Sequence, residues 1–436
     1  MITHINHSIS LNPKITKWTS KLLFTIIDQG FFSGSNFLVS LLLARFVDPA
    51  TYGVFSVTYS VFLFIAGIYS SLVLEPINIL GPKYHDQDLI LYKLRLIKLH
   101  LNVALVFLLL GFLEFLFSLF FNIQSEYIRV SFWAFLSIPF IMFFWLARQC
   151  SYLEAKPKVA ALGSLIYSFL YLGGGASLVF LKNIQISYIF IIMSFAGIIG
   201  GIVVFIKLGI NSSILINSPA GFFSGLFAEN WNFGRWILFA SIAYGISTLI
   251  YSPLIGVTLG AEQAGIFRSM QNLFLPFNQA VTATILLMTP TLSRIKIRAN
   301  SKDYRKHMLL YGSLLLIFTI LYCGLIQLFG YKIVNIIYNK VEYDKNIWII
   351  PFLGISTIIT TIISCLGMIF RVNEKTSVIF WGKIISALAV VFICIPIVIK
   401  FQMRGVLLGL NTSLIIEMFV LLVIGAIYRN KNANEI

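Results

Sequence analysis

Val47-Asp48-Pro49-Ala50-Thr51-Tyr52-Gly53-Val54-Phe55 stands 212 residues ahead of Leu259-Gly260-Ala261-Glu262-Gln263-Ala264-Gly265-Ile266-Phe267. Each stretch reads as a tight turn that ends in glycine and an aliphatic-Phe pair opening a helix. At the same offset Ser56, Tyr59, Ser60 and Ser70 fall on Arg268, Gln271, Asn272 and Thr282, so polar positions recur along with the turns. Identity between the stretches is low. Two tandem repeats are the simplest account of the match.

Outward from these turns the chain is a series of apolar runs, at about 22–44, 53–74, 101–121, 128–147, 159–181, 186–206, 236–259, 266–289, 309–330, 348–370, 378–398 and 405–427. Each is about 20 residues long, the length that crosses a bilayer as helix. None alternates with the period of two that an outer-membrane barrel requires. Across 436 residues, 58% are hydrophobic and 11% charged, against roughly 25% charge in an ordinary soluble domain. This composition excludes a soluble enzyme. The expected fold is an all-α polytopic membrane protein with about 12 transmembrane helices in two six-helix bundles. Six is even, so both repeats start on the same side, and a pseudo-twofold axis along the membrane normal relates them. The organisation expected is a cytoplasmic segment 1–21, an N-terminal bundle 22–206, a cytoplasmic linker 207–235, a C-terminal bundle 236–427 and a tail 428–436. A substrate cleft between the bundles would be lined by helices one, two, seven and eight.

The formal charge is +16. With an N-terminus inside, 23 of the 32 Lys and Arg fall on the cytoplasmic side, the distribution that orients membrane proteins. Both termini are therefore expected in the cytoplasm. Arg294, Lys296, Arg298, Lys302, Arg305 and Lys306 are the strongest anchor and a candidate contact for anionic lipids. No basic stretch is interleaved with aromatics on the scale of a nucleic-acid surface, so nucleic acid is not an expected partner. Cys150, Cys323, Cys365 and Cys394 lack CxxC spacing and read as small core residues, with no disulfide or metal implied. Some twenty polar residues with Lys14, Lys17 and Lys21 precede the first apolar run, so the first helix is expected to be retained rather than cleaved.

Polar side chains inside apolar spans mark function, because hydrocarbon cannot satisfy them. Drawn at 100° per residue, Arg268, Gln271, Asn272, Asn278, Gln279 and Thr282 share one arc of the eighth helix, with Pro276 placed mid-helix. Helix one carries Asp28, Gln29, Ser33, Ser35, Asn36 and Ser40, and helix seven Ser241, Tyr244, Ser247, Thr248, Tyr251 and Ser252. The cleft residues expected are Asp28, Asn36, Tyr59, Arg235, Tyr244, Tyr251, Arg268, Gln271, Asn272, Asn278 and Gln279. Interhelical hydrogen bonding is the competing reading for these faces. Asp28 and Glu75 are candidates for ion coupling, and Asp28 reads equally as one half of a structural pair. Glu114 reads as structural on an apolar, peripheral third helix. Lys383 and Glu417 lie at depths differing by roughly 7–8 Å of helix rise, which a lysine can nearly cover, so a structural pair is expected. Gly30, Gly34, Gly173, Gly174, Gly175, Gly197, Gly200 and Gly201 read as close packing or as bending points.

No GxxxxGK[ST] is present, and no His, Cys or Asp grouping has ligand or triad spacing, so no catalytic residue, metal or cofactor is expected. A membrane glycan polymerase is disfavoured by the lack of a long external loop.

Asn36-Phe37-Leu38-Val39-Ser40-Leu41-Leu42-Leu43-Ala44-Arg45-Phe46-Val47-Asp48-Pro49-Ala50-Thr51-Tyr52-Gly53-Val54-Phe55 resembles the first hairpin of Wzx-type flippases of the multidrug/oligosaccharidyl-lipid/polysaccharide (MOP) exporter superfamily. The resemblance implies alternating-access translocation of an undecaprenyl-diphosphate-linked oligosaccharide across the bacterial cytoplasmic membrane, for O-antigen, capsule or exopolysaccharide (lipopolysaccharide) synthesis. It also implies cleft cations for the diphosphate, with Arg268, Arg45 and Arg235 as candidates here, and polysaccharide polymerase machinery as a partner. A MATE-like cation-coupled drug antiporter is the alternative, with Asp28 as its coupling carboxylate.

Overall fold

The computed structural model describes residues 13–121, 125–182, 184–210, 225–298 and 301–433. The chain segments 1–12, 211–224 (the centre of the expected linker) and 434–436 lie outside the described residues.

Among the described residues the regular structure is helical throughout. The helices are α1 (Pro13–Phe46), α2 (Pro49–Tyr69), α3 (Glu75–Leu80), α4 (Asp86–Phe120), α5 (Glu126–Leu153), α6 (Pro157–Phe180) and α7 (Ile186–Lys207). They are followed by α8 (Leu226–Tyr244), α9 (Tyr251–Thr258), α10 (Ala261–Asn272), α11 (Leu275–Arg298), α12 (Ser301–Tyr338), α13 (Val341–Asp344), α14 (Ile350–Val372), α15 (Thr376–Ala389) and α16 (Ile395–Ala433). Among the described residues nine helical stretches are long and apolar enough to cross a bilayer, and two bent pairs bring the number to eleven. The last stretch, Thr376–Ile427, is two crossings, because Gln402 takes φ 53 and turns the chain back on itself. Contacts across that turn run antiparallel: Ile397 faces Gly405, Cys394 faces Gly409, Ser386 bonds the Ser413 carbonyl and Lys383 reaches Glu417. Twelve crossings result among the described residues.

Two crossings are bent where the sequence predicts straight helices. The seventh breaks by 48° between Leu226–Leu249 and Tyr251–Thr258, after a π turn at Gly245–Leu249 and just ahead of Pro253. The eighth breaks by 49° between α10 and α11. There Leu273 and Phe274 close a tight turn on Met270 and Gln271, and Pro276, which has no N–H to donate, sits in the first turn of α11 rather than mid-helix. The single polar arc drawn from Arg268 to Thr282 is thereby cut in two. α8 starts at Leu226, inside the stretch 207–235 expected as linker, and buries Leu226, Asn230 and Gly234 on one face.

Packing groups the chain into two compact units. The first comprises 1–39, 73–113 and 135–232, and the second 40–72, 114–134 and 233–436. In the first unit α6 and α7 lie close together at Gly163 and Gly200, where a Cβ on Gly200 would stand 3.2 Å from the Gly163 carbonyl oxygen. Gly197 is similarly tight against the Phe140 carbonyl, so packing is the role of this cluster. Gly30, Gly34 and Gly173 have open space around them and take no part in it. α4 is the least buried of the crossings and shows Leu105, Leu109, Phe112, Leu113 and Phe117 outward, as expected of a peripheral helix.

In the second unit α2 packs against α10. A Cβ on Gly53 would lie 1.7 Å from the Ala261 carbonyl oxygen, and one on Gly265 2.0 Å from that of Pro49. Glycine at both positions is what lets the two backbones touch. Ala261 and Gly265 are the residues 212 places after Pro49 and Gly53, so the contact is reciprocal, as a twofold relation between repeats demands. Gly260, at φ 94, makes the turn that leads into α10.

Candidate functional site

Asp28, in the first unit, has no exposed surface. Its carboxylate is met by Arg148 in a two-point contact, Nε to Oδ1 at 3.1 Å and Nη2 to Oδ2 at 2.6 Å. Ser164 Oγ donates to Oδ1 at 2.5 Å and the Tyr152 hydroxyl donates to Oδ2. The guanidinium lies over the Phe32 ring, 4.3 Å from its centroid, and Nη2 also reaches Gln29 Oε1 at 3.3 Å. Every oxygen of Asp28 is thus engaged by donors from α5 and α6. Such a two-point, stacked guanidinium is the geometry that a lysine could not supply. Asn36, two turns further along α1, accepts from Tyr167 Oη at 3.3 Å and donates to the Phe32 carbonyl at 2.7 Å.

Arg148 and Tyr152 were not found from sequence. The residues 148–158 read as a loop because hydropathy falls after Ala147, but α5 continues to Leu153 and turns only at Glu154-Ala155, where Ala155 takes φ 53. At that turn Glu154 is paired with the buried Lys93 and, at 2.6 Å, with Lys156. Burial works to raise the Glu154 pKa, yet the hydrogen bonds and charges of Lys156 and Lys93 outweigh it and hold the carboxyl below its usual range.

The second unit holds most of the other candidates. Arg268, on α10, is half-buried, and its Nη1 reaches Gln271 Oε1 at 3.5 Å. Its charge acts on the hydroxyls of Tyr52, Tyr59 and Tyr244. None of the ion pairs among the described residues includes it. Tyr59 stacks between Phe55 and Phe62 at centroid separations of 5.3 and 5.5 Å. Asn272 is fully buried and donates to Tyr52 Oη at 2.8 Å and Ser40 Oγ at 3.3 Å, a knot joining α10 to α1 and α2. Tyr251 is likewise interior, its hydroxyl 3.1 Å from Ser413 Oγ. Lys383 Nζ lies 2.8 and 2.9 Å from the two oxygens of the buried Glu417 and over the Tyr244 ring at 5.6 Å. Asn278 is half-buried and Gln279 exposed, both beyond the bend on α11. Arg235 is exposed on α8, over the Trp236 ring at 5.8 Å, and Glu75 is exposed in the first unit at the start of α3.

Arg45 is committed elsewhere. Its Nη1 donates to the Ile336 and Ile337 carbonyls at 2.7 and 2.9 Å.

No protein-family model matches the chain, and no curated protein matches it. Solved structures do. The chain is similar to an inward-facing multidrug resistance MATE-family transporter of the MOP superfamily, with TM-score 0.70 and 11% identity over 96% of this chain and 99% of that one. It is similar to the lipid II flippase MurJ in an inward closed conformation, with TM-score 0.69 and 15% identity over 94% and 87% of the two chains. An outward-facing MATE-family transporter gives TM-score 0.65 and 12% identity over 96% of each. At such identities the likeness shows the fold alone, one shared with these MATE-family structures and with MurJ.

Proposed function

We propose that the chain is a flippase that moves an anionic, polyprenyl-diphosphate-linked oligosaccharide across the bacterial cytoplasmic membrane by alternating access, for surface polysaccharide synthesis. The observation that carries this reading is Arg268, a half-buried guanidinium with no carboxylate partner among the described residues. A charge kept inside a membrane protein without a counter-ion is suited to an anion that arrives with the substrate. Gln271 and the tyrosines around it offer neutral donors for phosphate or sugar oxygens. Both termini are cytoplasmic in this reading, and polysaccharide polymerase machinery takes the product.

The MATE-like antiporter shares the fold equally. It needs a carboxylate free to exchange a cation, and Asp28 is instead held by Arg148, Tyr152 and Ser164. Glu75, exposed at the start of α3, is the remaining coupling candidate of the two proposed from sequence. Deletion of the gene decides between the readings. Lipid-linked oligosaccharide held on the inner leaflet, with loss of surface glycan, supports the flippase; normal surface glycan with new sensitivity to cationic drugs supports the antiporter.

A further inference from the structure

An α-helix ends with four carbonyls that its own amides cannot reach, and cations are favoured there. α1 ends at Phe46 and α12 at Tyr338, and in this fold each end is capped by a cation belonging to the other. Arg45, in the last turn of α1, donates to Ile336 and Ile337. Lys340, two residues past α12, donates to the Ala44 carbonyl at 3.0 Å and to that of Val47. Tyr343 adds a bond to Ala44 at 3.2 Å. The neighbouring acid, Asp48, caps α2 through Thr51 N at 2.9 Å, and its charge favours the Lys340 ammonium without forming an ion pair with it.

Counting crossings, the turns after α1, after α9 and after α12 all fall at one face of the membrane, the face away from the termini. The Gly53–Ala261 and Gly265–Pro49 contacts lie at this same end. We infer that Arg45 and Lys340 form a two-way clasp that holds this end of the transporter shut and is released and remade in each cycle. The inference rests on alternating access in the proposed function and is independent of which substrate is carried.

The chemistry suits a reversible catch. Arg45 bonds its carbonyls at an exposed site, where water replaces each lost bond at small net cost. No ion pair has to be broken, in contrast to Asp28–Arg148, where separation would strand a buried carboxylate.

The test uses the full chain in intact cells. Gln271→Cys, on α10 ten residues past its first residue, Ala261, is labelled with a membrane-impermeant maleimide added outside, and a chain carrying only the native cysteines gives the background. Arg45→Gln and Lys340→Gln should each raise external labelling roughly tenfold, and Lys340→Arg should return it toward the wild-type level. Unchanged labelling in both Gln variants and in their double, at normal membrane levels, overturns the clasp. Should the Gln variants not reach the membrane, Phe46→Cys with Asn339→Cys gives the second reading. Bridging that pair with a short bismaleimide should stop turnover, and turnover at the unbridged rate would overturn the clasp. Labelling needs no substrate, so a clasp that opens in a chain whose deletion leaves surface glycan normal would sink the flippase reading alone.

Discussion

Gly53 and Gly265 hold equivalent places in the two repeats and meet each other reciprocally, each too close to the other's helix to carry a side chain. Alanine at either position must force α2 and α10 apart. Gly53→Ala and Gly265→Ala should each destabilise the protein by about 1–3 kcal/mol, the usual cost of overpacking. Gly312→Ala, which meets nothing within 4 Å, should leave it unchanged or slightly more stable. Thermal unfolding in detergent distinguishes the two classes; equal melting temperatures for all three variants would mean that the helices do not touch there.

Asp28 and Arg148 should behave as a unit. Arg148→Met leaves a buried carboxylate with two hydroxyl donors, and removing one partner of such a pair costs about 3–5 kcal/mol. Asp28→Leu with Arg148→Met should cost markedly less than Arg148→Met alone. A double variant as damaged as the sum of its singles, read from melting temperature and membrane yield, would show that the two charges act independently.

The Lys93–Glu154–Lys156 cluster gives a pH dependence with a definite sign. Glu154 titrates lower in the folded protein than its ordinary 4.5. Its contribution is therefore complete above that value and is lost as pH falls through the lower, folded one. Wild-type stability should drop on acidification below 4.5 more steeply than that of Glu154→Gln, which should already be weaker at neutral pH because Lys93 stays buried without its counter-ion. Parallel pH profiles for the two proteins would contradict this assignment.

The orientation is open to a direct check. A phosphatase fused after Ile436 should be inactive and a fluorescent protein at the same site bright, since both termini are expected in the cytoplasm. The opposite pattern would invert every loop and move the Arg45–Lys340 clasp to the inner face.

Much of this architecture was legible in the sequence. Apolar runs of crossing length report burial in lipid residue by residue, and the 212-residue offset placed Gly53 on Gly265 before any contact was visible. Lys383 and Glu417 were within reach of each other on rise per residue alone, because they lie on consecutive crossings. Arg148 with Asp28 was not legible: 120 residues separate them, and no periodicity links a guanidinium on α5 to a carboxylate on α1. The polar arc of the eighth crossing failed for a different reason. A uniform 100° step assumes a straight helix, and Pro276 ends that assumption just past Asn272, leaving Arg268 and Gln271 on one segment and Asn278 and Gln279 on another. Polarity also did not separate a knot from a surface. Asn272 and Tyr251 lie on the predicted polar faces, yet both are spent on hydrogen bonds in the interior.

The central claim is that Arg268 receives an anion carried by a lipid-linked substrate. The measurement that tests it most directly is the flipping of a polyprenyl-diphosphate oligosaccharide in proteoliposomes containing the purified wild-type chain, Arg268→Lys or Arg268→Ala. Wild type should flip the lipid and Arg268→Lys should keep appreciable activity, while Arg268→Ala should lose about tenfold or more, as expected from the loss of a charge-assisted contact. Wild-type flipping by Arg268→Ala, at equal protein content and equal melting temperature, would contradict the account.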